Sequence, residues 1–401
     1  MRTKSVRLIA LLMAQTFLMV GVFGASEAFG RSTVVSHSFH DEYGAQVGSN
    51  GRSLFMFVNG SIEGESGVWS RVLRFKDGRW TPVSPVWPSS TDSGTFLGFQ
   101  ETRSGRLPCV ADTARNKFAR VQCLGSRGWQ RIALPPRTTW HYLVKGFTER
   151  NGSLFLPLSK IERTGDPKSP FRTTVKLTKI TGERLSVQGP VLKFNRQASV
   201  WAETATAGTP RQPIRLGVTT QSDPTQQWIE TLTSSGWKRS GELPRLSGAK
   251  SITGPVRDGL RTFMFSAETQ PPEGQEFGGY LFGQSRPGKR WSEVGGQPVN
   301  VGKGSAQGGA FAVGGRVWAI WNQNEFGEAP FGGMIPTRVF AARLGPNGRA
   351  FDRVTRLWKG KVVFPEAVQV IQHRSLVVAL FMTQKSKRSG MHATVRFLPS
   401  E

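Results

Sequence analysis

Cysteine is nearly absent from this chain: Cys109 and Cys123 are the only two among 401 residues. That excludes a disulfide framework and a cysteine-based zinc pattern, and leaves room for one bridge. Tyrosine is as scarce, at Tyr43, Tyr142 and Tyr280. Acid is short as well, with 27 Asp and Glu against 53 Lys and Arg, a formal charge of +26. No GxSxG, HExxH or phosphate-cradling glycine loop occurs, which removes the common serine-hydrolase, zinc-protease and nucleotide-binding signatures. No convincing amphipathic helix is visible, and beyond Phe23 no stretch is long and apolar enough to span a bilayer.

What is present begins with a leader. Arg2, Lys4 and Arg7 precede an apolar run from Leu8 to Phe23, followed by small residues around Ser26 and Ala28. This is the layout of a signal peptide over residues 1–28, which makes 29–401 the mature domain, secreted or otherwise extracytoplasmic, with no transmembrane span after cleavage. An uncleaved membrane anchor is the alternative. In an exported chain the cysteines are expected to pair, and RLPCVA and ARVQCL read as adjacent strands that a Cys109–Cys123 bridge would staple; two buried thiols are the competing reading. Excess positive charge favours polyanions such as an anionic envelope polymer or acidic glycans. Nucleic acid is set aside as a partner, because the basic residues are scattered with no dense run. A monomer without cofactor or metal is expected.

Repetition then gives the fold. A turn followed by an apolar strand recurs at Gly51, Gly105, Gly152, Gly259, Gly315 and Arg374, with PIRLGV at Pro213 as a weaker copy, at a spacing of about 54 residues. A second marker, a turn followed by an aromatic and a short strand, recurs in the same period at Trp80, Trp129, Trp237, Trp291 and Phe351, with Leu185 filling a gap. Third strands (VLRF, ARVQCL, TTVKLTKI, WIETL, YLFGQ, RVFAARL, ATVRFL) lie between, and first-strand candidates (TFLGFQ, HYLVKGF, ASVWAE, AVQVIQ) lie ahead. Four-stranded meanders repeated in this way predict an all-β fold, a seven-bladed β-propeller with antiparallel blades, six blades being the alternative. The last unit lacks an outer strand, and Ser32–Phe39 is placed to supply it and close the ring.

In such a ring, first-to-second and third-to-fourth turns share one face and read as tight (SNG, RNG, KDG, PNG). Longer second-to-third and interblade connections share the other face, where function is expected. Those loops carry Glu63, Glu65, Asp112, Glu162, Asp166, Asp223, Glu268, Glu273, Glu276, Glu325 and Glu328. Carboxylate pairs there would suit glycoside cleavage, oxygen ligands would suit Ca²⁺, and solvated loop acids are the plain alternative. The sixth loop, NQNEFGEAPFGGMIP, sets Phe326 and Phe331 beside Glu325 and Glu328, a pairing that suits carbohydrate rings; aromatics folded back on the blade are the competing reading. The candidate ligand-binding set is therefore Glu325, Phe326, Glu328, Phe331, Glu273, Glu276 and Asp166, with the catalytic set left open. His37, His40, Asp41 and Glu42 invite a metal, but on a strand the two histidines would point apart. The Asn-Gly-Ser sequences at Asn59 and Asn151 read as turns.

Over the mature length the chain resembles secreted bacterial propellers of the sialidase-like and kelch-like groups. KDGRW and PGKRW look like degenerate Asp-box turns, and STDSGTF at Ser90–Phe96 is the nearest literal match, one residue short and between blades. The resemblance implies the fold and, in sialidases, an arginine triad, an Asp acid/base and a Tyr/Glu pair. Arg106-Leu107-Pro108 is similar to that family's Arg-Ile-Pro element, but no tyrosine sits in a matching setting, so no catalytic residue carries over. The leading expectation is an exported, non-catalytic propeller binding a glycan or envelope polymer. A glycoside hydrolase or lyase and a protein-interaction scaffold are the alternatives.

Overall fold

A computed structural model describes residues 33–399 except 90–94, 103–104, 114–118, 126, 133–147, 151–152, 182–183, 206–212, 221–225, 244–254, 268–278, 286–288, 295–306, 326–334, 360–368 and 385–389. Its described elements are strands, arranged as seven sheets, each built on an antiparallel four-stranded meander, that form a seven-bladed propeller. In chain order from the innermost strand, blade 1 is Asp41–Ser49, Leu54–Ser61, Val68–Lys76 and Arg79–Pro82. Blade 2 is Thr95–Thr102, Gly105–Thr113, Ala119–Gly125 and Gly128–Ile132. Blade 3 is Thr148–Arg150, Ser153–Arg163, Phe171–Thr181 and Arg184–Phe194. Blade 4 is Ala198–Ala202, Arg215–Thr220, Gln227–Thr233 and Gly236–Glu242. Blade 5 is Val256–Asp258, Arg261–Ala267, Gly279–Gln284 and Ser292–Val294. Blade 6 is Gln307–Val313, Arg316–Glu325, Ile335–Leu344 and Phe351–Lys359. Blade 7 is Gln369–His373, Leu376–Gln384 and Met391–Pro399, completed by Thr33–Val35. HYLVKGF, expected as a first strand, lies outside the described residues.

Each second strand is covered on both sides by neighbouring blades, which is why LFMFV and LVVALFM are apolar without alternation. Every seam between blades holds its own apolar cluster. The richest joins blade 1 to blade 7, where Val47, Met56 and Leu73 meet Val378, Leu380, Val395 and Phe397. The smallest joins blades 4 and 5 through Ile229, Leu243, Met264, Phe282 and Trp291.

The ring closes as expected: Thr33, Val34 and Val35 pair with Arg396, Val395 and Thr394. Past that strand the chain does not extend, so His37 and His40 are not strand residues as anticipated; His37 packs edge-on against His392 instead. Asp41 and Glu42 hold the closure. The Glu42 carboxylate is buried and accepts from Ser36 Oγ at 2.8 Å, Ser38 N at 2.9 Å and Ala393 N at 2.6 Å, while Asp41 Oδ1 accepts from Met391 N at 3.0 Å. Gly60 and Gly390 make room for this segment. A Cβ on Gly60 would lie 2.2 Å from the Asp41 carbonyl oxygen, and one on Gly390 would lie 2.0 Å from that of His40. Asn59 is therefore not in a turn; it lies inside the second strand of blade 1, buried, with Oδ1 accepting from Ser70 Oγ at 2.9 Å. Asn151 lies outside the described residues.

Cys109 and Cys123 form the expected disulfide, directly opposite each other on the second and third strands of blade 2. Replacing both by serine should lower unfolding stability by about 3 kcal/mol for a loop of this size, measurable by denaturant titration.

Burial pushes the Glu42 carboxyl above its usual range, and hydrogen bonds from Ala393, Ser36, Ser38 and Phe39 pull it only part of the way back. With the folded pKa above the unfolded one, Glu42's contribution is fully present below its unfolded pKa and is lost as pH rises through the folded value. The stability difference between the native protein and Glu42→Gln should shrink with rising pH across that window, measured as melting temperature against pH.

Candidate functional site

The two faces of the ring differ in construction. On one face the chain turns tightly: Ser49 to Leu54, Lys76 to Arg79, Asp258 to Arg261 and His373 to Leu376 are hairpin ends. Asp77 and Gly78 both take positive φ in the KDG turn, a conformation that suits two-residue hairpins. Blade 4 is the exception, since its first and second strands are separated by the segment from Ala202 to Arg215. The opposite face receives the second-to-third and interblade connections.

Two hairpins have the longest second and third strands among the described residues. In blade 3 the second and third strands run 11 residues each, and in blade 6 they run 10. Both tips carry expected site residues. Asp166 is exposed at the tip of the blade 3 hairpin. Glu325 ends the second strand of blade 6, paired with Ile335. Phe326, Glu328, Phe331, Glu273 and Glu276 lie outside the described residues.

Asp166 is occupied in shaping its own loop. Its Oδ1 accepts from Lys168 N at 2.9 Å, its amide donates to Thr164 Oγ1 at 3.1 Å, and its carbonyl accepts from Ser169 N at 3.1 Å. This side-chain turn fixes the tip. Below it, Thr173 Oγ1 donates to the Arg196 carbonyl at 2.8 Å and accepts from Ala198 N at 2.9 Å, and Arg196 Nη1 donates to Gln226 Oε1 at 3.2 Å. The blade 3 hairpin, the connection into blade 4 and the next hairpin of blade 4 are thereby bound into one block of rim.

One side of that hairpin is cationic. Residues two apart share a face of a sheet. Leu154, Leu156 and Leu158 point at blade 2, where they pack on the disulfide, Val121 and Ile132. The same face continues past blade 2 as Lys160 and Glu162. Across the sheet, Lys160 pairs with Thr174 and Thr174 with Lys193, while Leu158 pairs with Lys176 and Glu162 with Arg172. Lys160, Arg172, Lys176 and Lys193 thus share one face, with Glu162 as the single acid, bonded to Lys160. The register shift between Val175 and Leu177 comes from extra residues on the facing fourth strand, 189–191, so the bulge lies opposite Lys176. Burial and, secondarily, the charge of Lys160 lower the Lys176 pKa.

The sequence reading missed the buried charges. Glu230 lies in the seam between blades 3 and 4; burial raises its pKa against the opposing effects of a 2.7 Å bond from Trp228 Nε1 and the charge of Arg239. Glu203, Arg215 and Arg257 meet in the seam between blades 4 and 5, near the tight-turn face. Nothing in the strand pattern marks a charge that will be covered by a neighbouring blade: Arg215 heads the RLGVTT strand, which is buried throughout. Among the described residues no group of three or more His, Cys, Asp or Glu is placed to hold a metal ion, and no helix is long and apolar enough to cross a membrane.

No protein-family model matches the chain, and no curated protein does. Among solved structures, the polysaccharide lyase Uly1 superimposes with a TM-score of 0.56 at 9% identity, over 92% of this chain and 90% of that one. The phage phi92 endosialidase gives 0.48 at 9% identity, over 92% of this chain and 69% of its own. The Trypanosoma rangeli sialidase gives 0.45 at 10%, over 92% of this chain but only 57% of its own. These likenesses are of fold.

Thr173→Val removes the two Thr173 bonds of the rim block while keeping the side chain's shape. Hydrogen exchange at Ala198 should accelerate about fivefold, from ~1 kcal/mol per bond lost, with the blade 1 strands unchanged; equal acceleration throughout would refute the block.

Proposed function

We propose that the protein is an exported, non-catalytic propeller that binds an anionic glycan or envelope polymer on the face of its long connections. The observation that carries this reading is the cationic side of the blade 3 hairpin. Lys160, Thr174 and Lys193 form one row across three strands spaced ~4.8 Å apart, and neighbouring rows on that face are ~7 Å apart. Four cations with one acid on a partly exposed sheet face repel one another, and an extended polyanion relieves that repulsion. A disulfide in an otherwise cysteine-free chain supports an oxidising compartment. Support also comes from the fold of a polysaccharide lyase, Uly1. That likeness favours a second reading, polysaccharide cleavage by rim carboxylates, in which the same cations would hold the substrate.

Retention of the mature protein on immobilised polygalacturonate and dextran tests the proposal. Binding is expected to polygalacturonate and to weaken with salt. The double variant Lys176→Glu/Lys193→Glu should lose about tenfold or more in affinity, given ~1 kcal/mol per exposed charge pair. Failure to bind any anionic polymer would refute the proposal, and release of new chain ends from the polymer would establish the enzymatic reading instead.

A further inference from the structure

The geometry points to a site for one small monovalent anion, of halide size, buried in the seam between blades 4 and 5 against Arg257 and Arg215. Arg257 stands on the innermost strand of blade 5, turned toward blade 4 because its neighbour Val256 faces blade 6. Arg215 opens the second strand of blade 4 and Glu203 follows the first, both on the blade 5 side, since Ala202 and Leu216 belong to the opposite seam. Glu203 Oε2 bonds Arg257 Nη2, and Arg215 Nη1 lies 3.5 Å from Glu203 Oε1 and donates to Thr262 Oγ1 at 3.1 Å. The three side chains are only 6%, 6% and 3% exposed for Glu203, Arg215 and Arg257.

Two guanidinium cations and one carboxylate leave a net positive charge inside the fold. Arg257 Nε and Nη1 and Arg215 Nε are buried without a hydrogen-bond partner, and so is Glu203 Oε1, so unmet donors outnumber unmet acceptors by three to one in a cluster that is also short of negative charge. Both deficits are costly in a packed interior. The neighbouring sequence brings no countercharge: residues 204–214, TATAGTPRQPI, contain no acid and add a further arginine. Asp258, the next acid along, is on the other side of its strand from Arg257 and is bonded to Arg261. An anion satisfies charge and donors together, whereas a water molecule supplies no charge. The site lies at the tight-turn face and is independent of the long-connection face.

Thermal unfolding at constant ionic strength, with sodium gluconate progressively replaced by sodium chloride, tests the site. The native protein is expected to gain a few degrees in a saturating fashion, as a ligand bound only by the folded state requires, and Arg257→Gln is expected to lose this response. Equal melting temperatures in both salts, or the same chloride response in the variant, would overturn the proposal. If Arg257→Gln does not fold, crystals of the native protein soaked in bromide decide: an anomalous peak beside Arg257 and Arg215 supports the site, and its absence refutes it. A bromide peak without any chloride dependence of stability would mean an adventitious ion only.

Discussion

A ring of twisted sheets is stable only if its last sheet meets its first, and here that meeting is made by three residues of strand and one carboxylate. Thr33–Val35 completes blade 7, and Glu42 then gathers Ser36, Ser38 and Ala393 at a single buried point. Glu42 belongs to the innermost strand of blade 1, so it links the first blade, the N-terminal strand and the third strand of blade 7. The rest of the architecture depends on this junction, because each second strand needs a neighbour on both sides to bury its apolar run. It is fitting that the seam beneath it holds the largest apolar cluster. The closure is reinforced by burial from below and by hydrogen bonds from above.

The seams are not equivalent. Between blades 4 and 5 the apolar cluster is smallest, and the remaining contact is polar at both ends. Toward the tight-turn face lies the Glu203 and arginine cluster; toward the long-connection face, Ser266 Oγ donates to Gln227 Oε1 at 2.9 Å. The long segment between the first and second strands of blade 4 belongs to this seam as well, with Thr204 and Ala205 pairing in parallel with Val256 and Arg257. Polar contacts are directional where apolar ones are not. A seam built this way fixes the relative setting of two blades through a few groups, at the expense of tolerance to change in any of them.

How far the chain could be read without coordinates follows from which periods its residues repeat. Blade number, ring closure, strand order and the disulfide were legible because Gly-led turns and apolar second strands recur at a fixed interval, and because two cysteines on neighbouring strands have few other partners. Even the weak copy PIRLGV proved to be a strand, Arg215–Thr220. What escaped was any feature that depends on two distant segments meeting. Asn59-Gly60 reads as a turn in sequence, yet it lies in a strand because the N-terminal segment passes over Gly60. Asp41 and Glu42, weighed as metal ligands and set aside, each accept from a backbone amide some 350 residues away in the chain, which no local pattern could show. Asp166 was placed on the correct rim, but its carboxylate is engaged by the loop that presents it.

The cationic face of blade 3 shows what sequence reading could have taken further. In SLFLPLSKIER the alternate positions Leu154, Leu156 and Leu158 give way to Lys160 and Glu162 without a change of strand. A strand that is apolar for half its length and charged for the rest, at constant parity, has one face that leaves its neighbour's cover partway along. The matching strand repeats the change in reverse, from Arg172 and Lys176 to Thr178 and Ile180. Two strands that switch together define a hairpin projecting above the ring, and the side that emerges is the one whose lower half packs on the neighbouring blade. The charge on that side is therefore held rigidly by the same leucines that join blade 3 to blade 2. The proposed polymer binding rests on that rigid placement of charge.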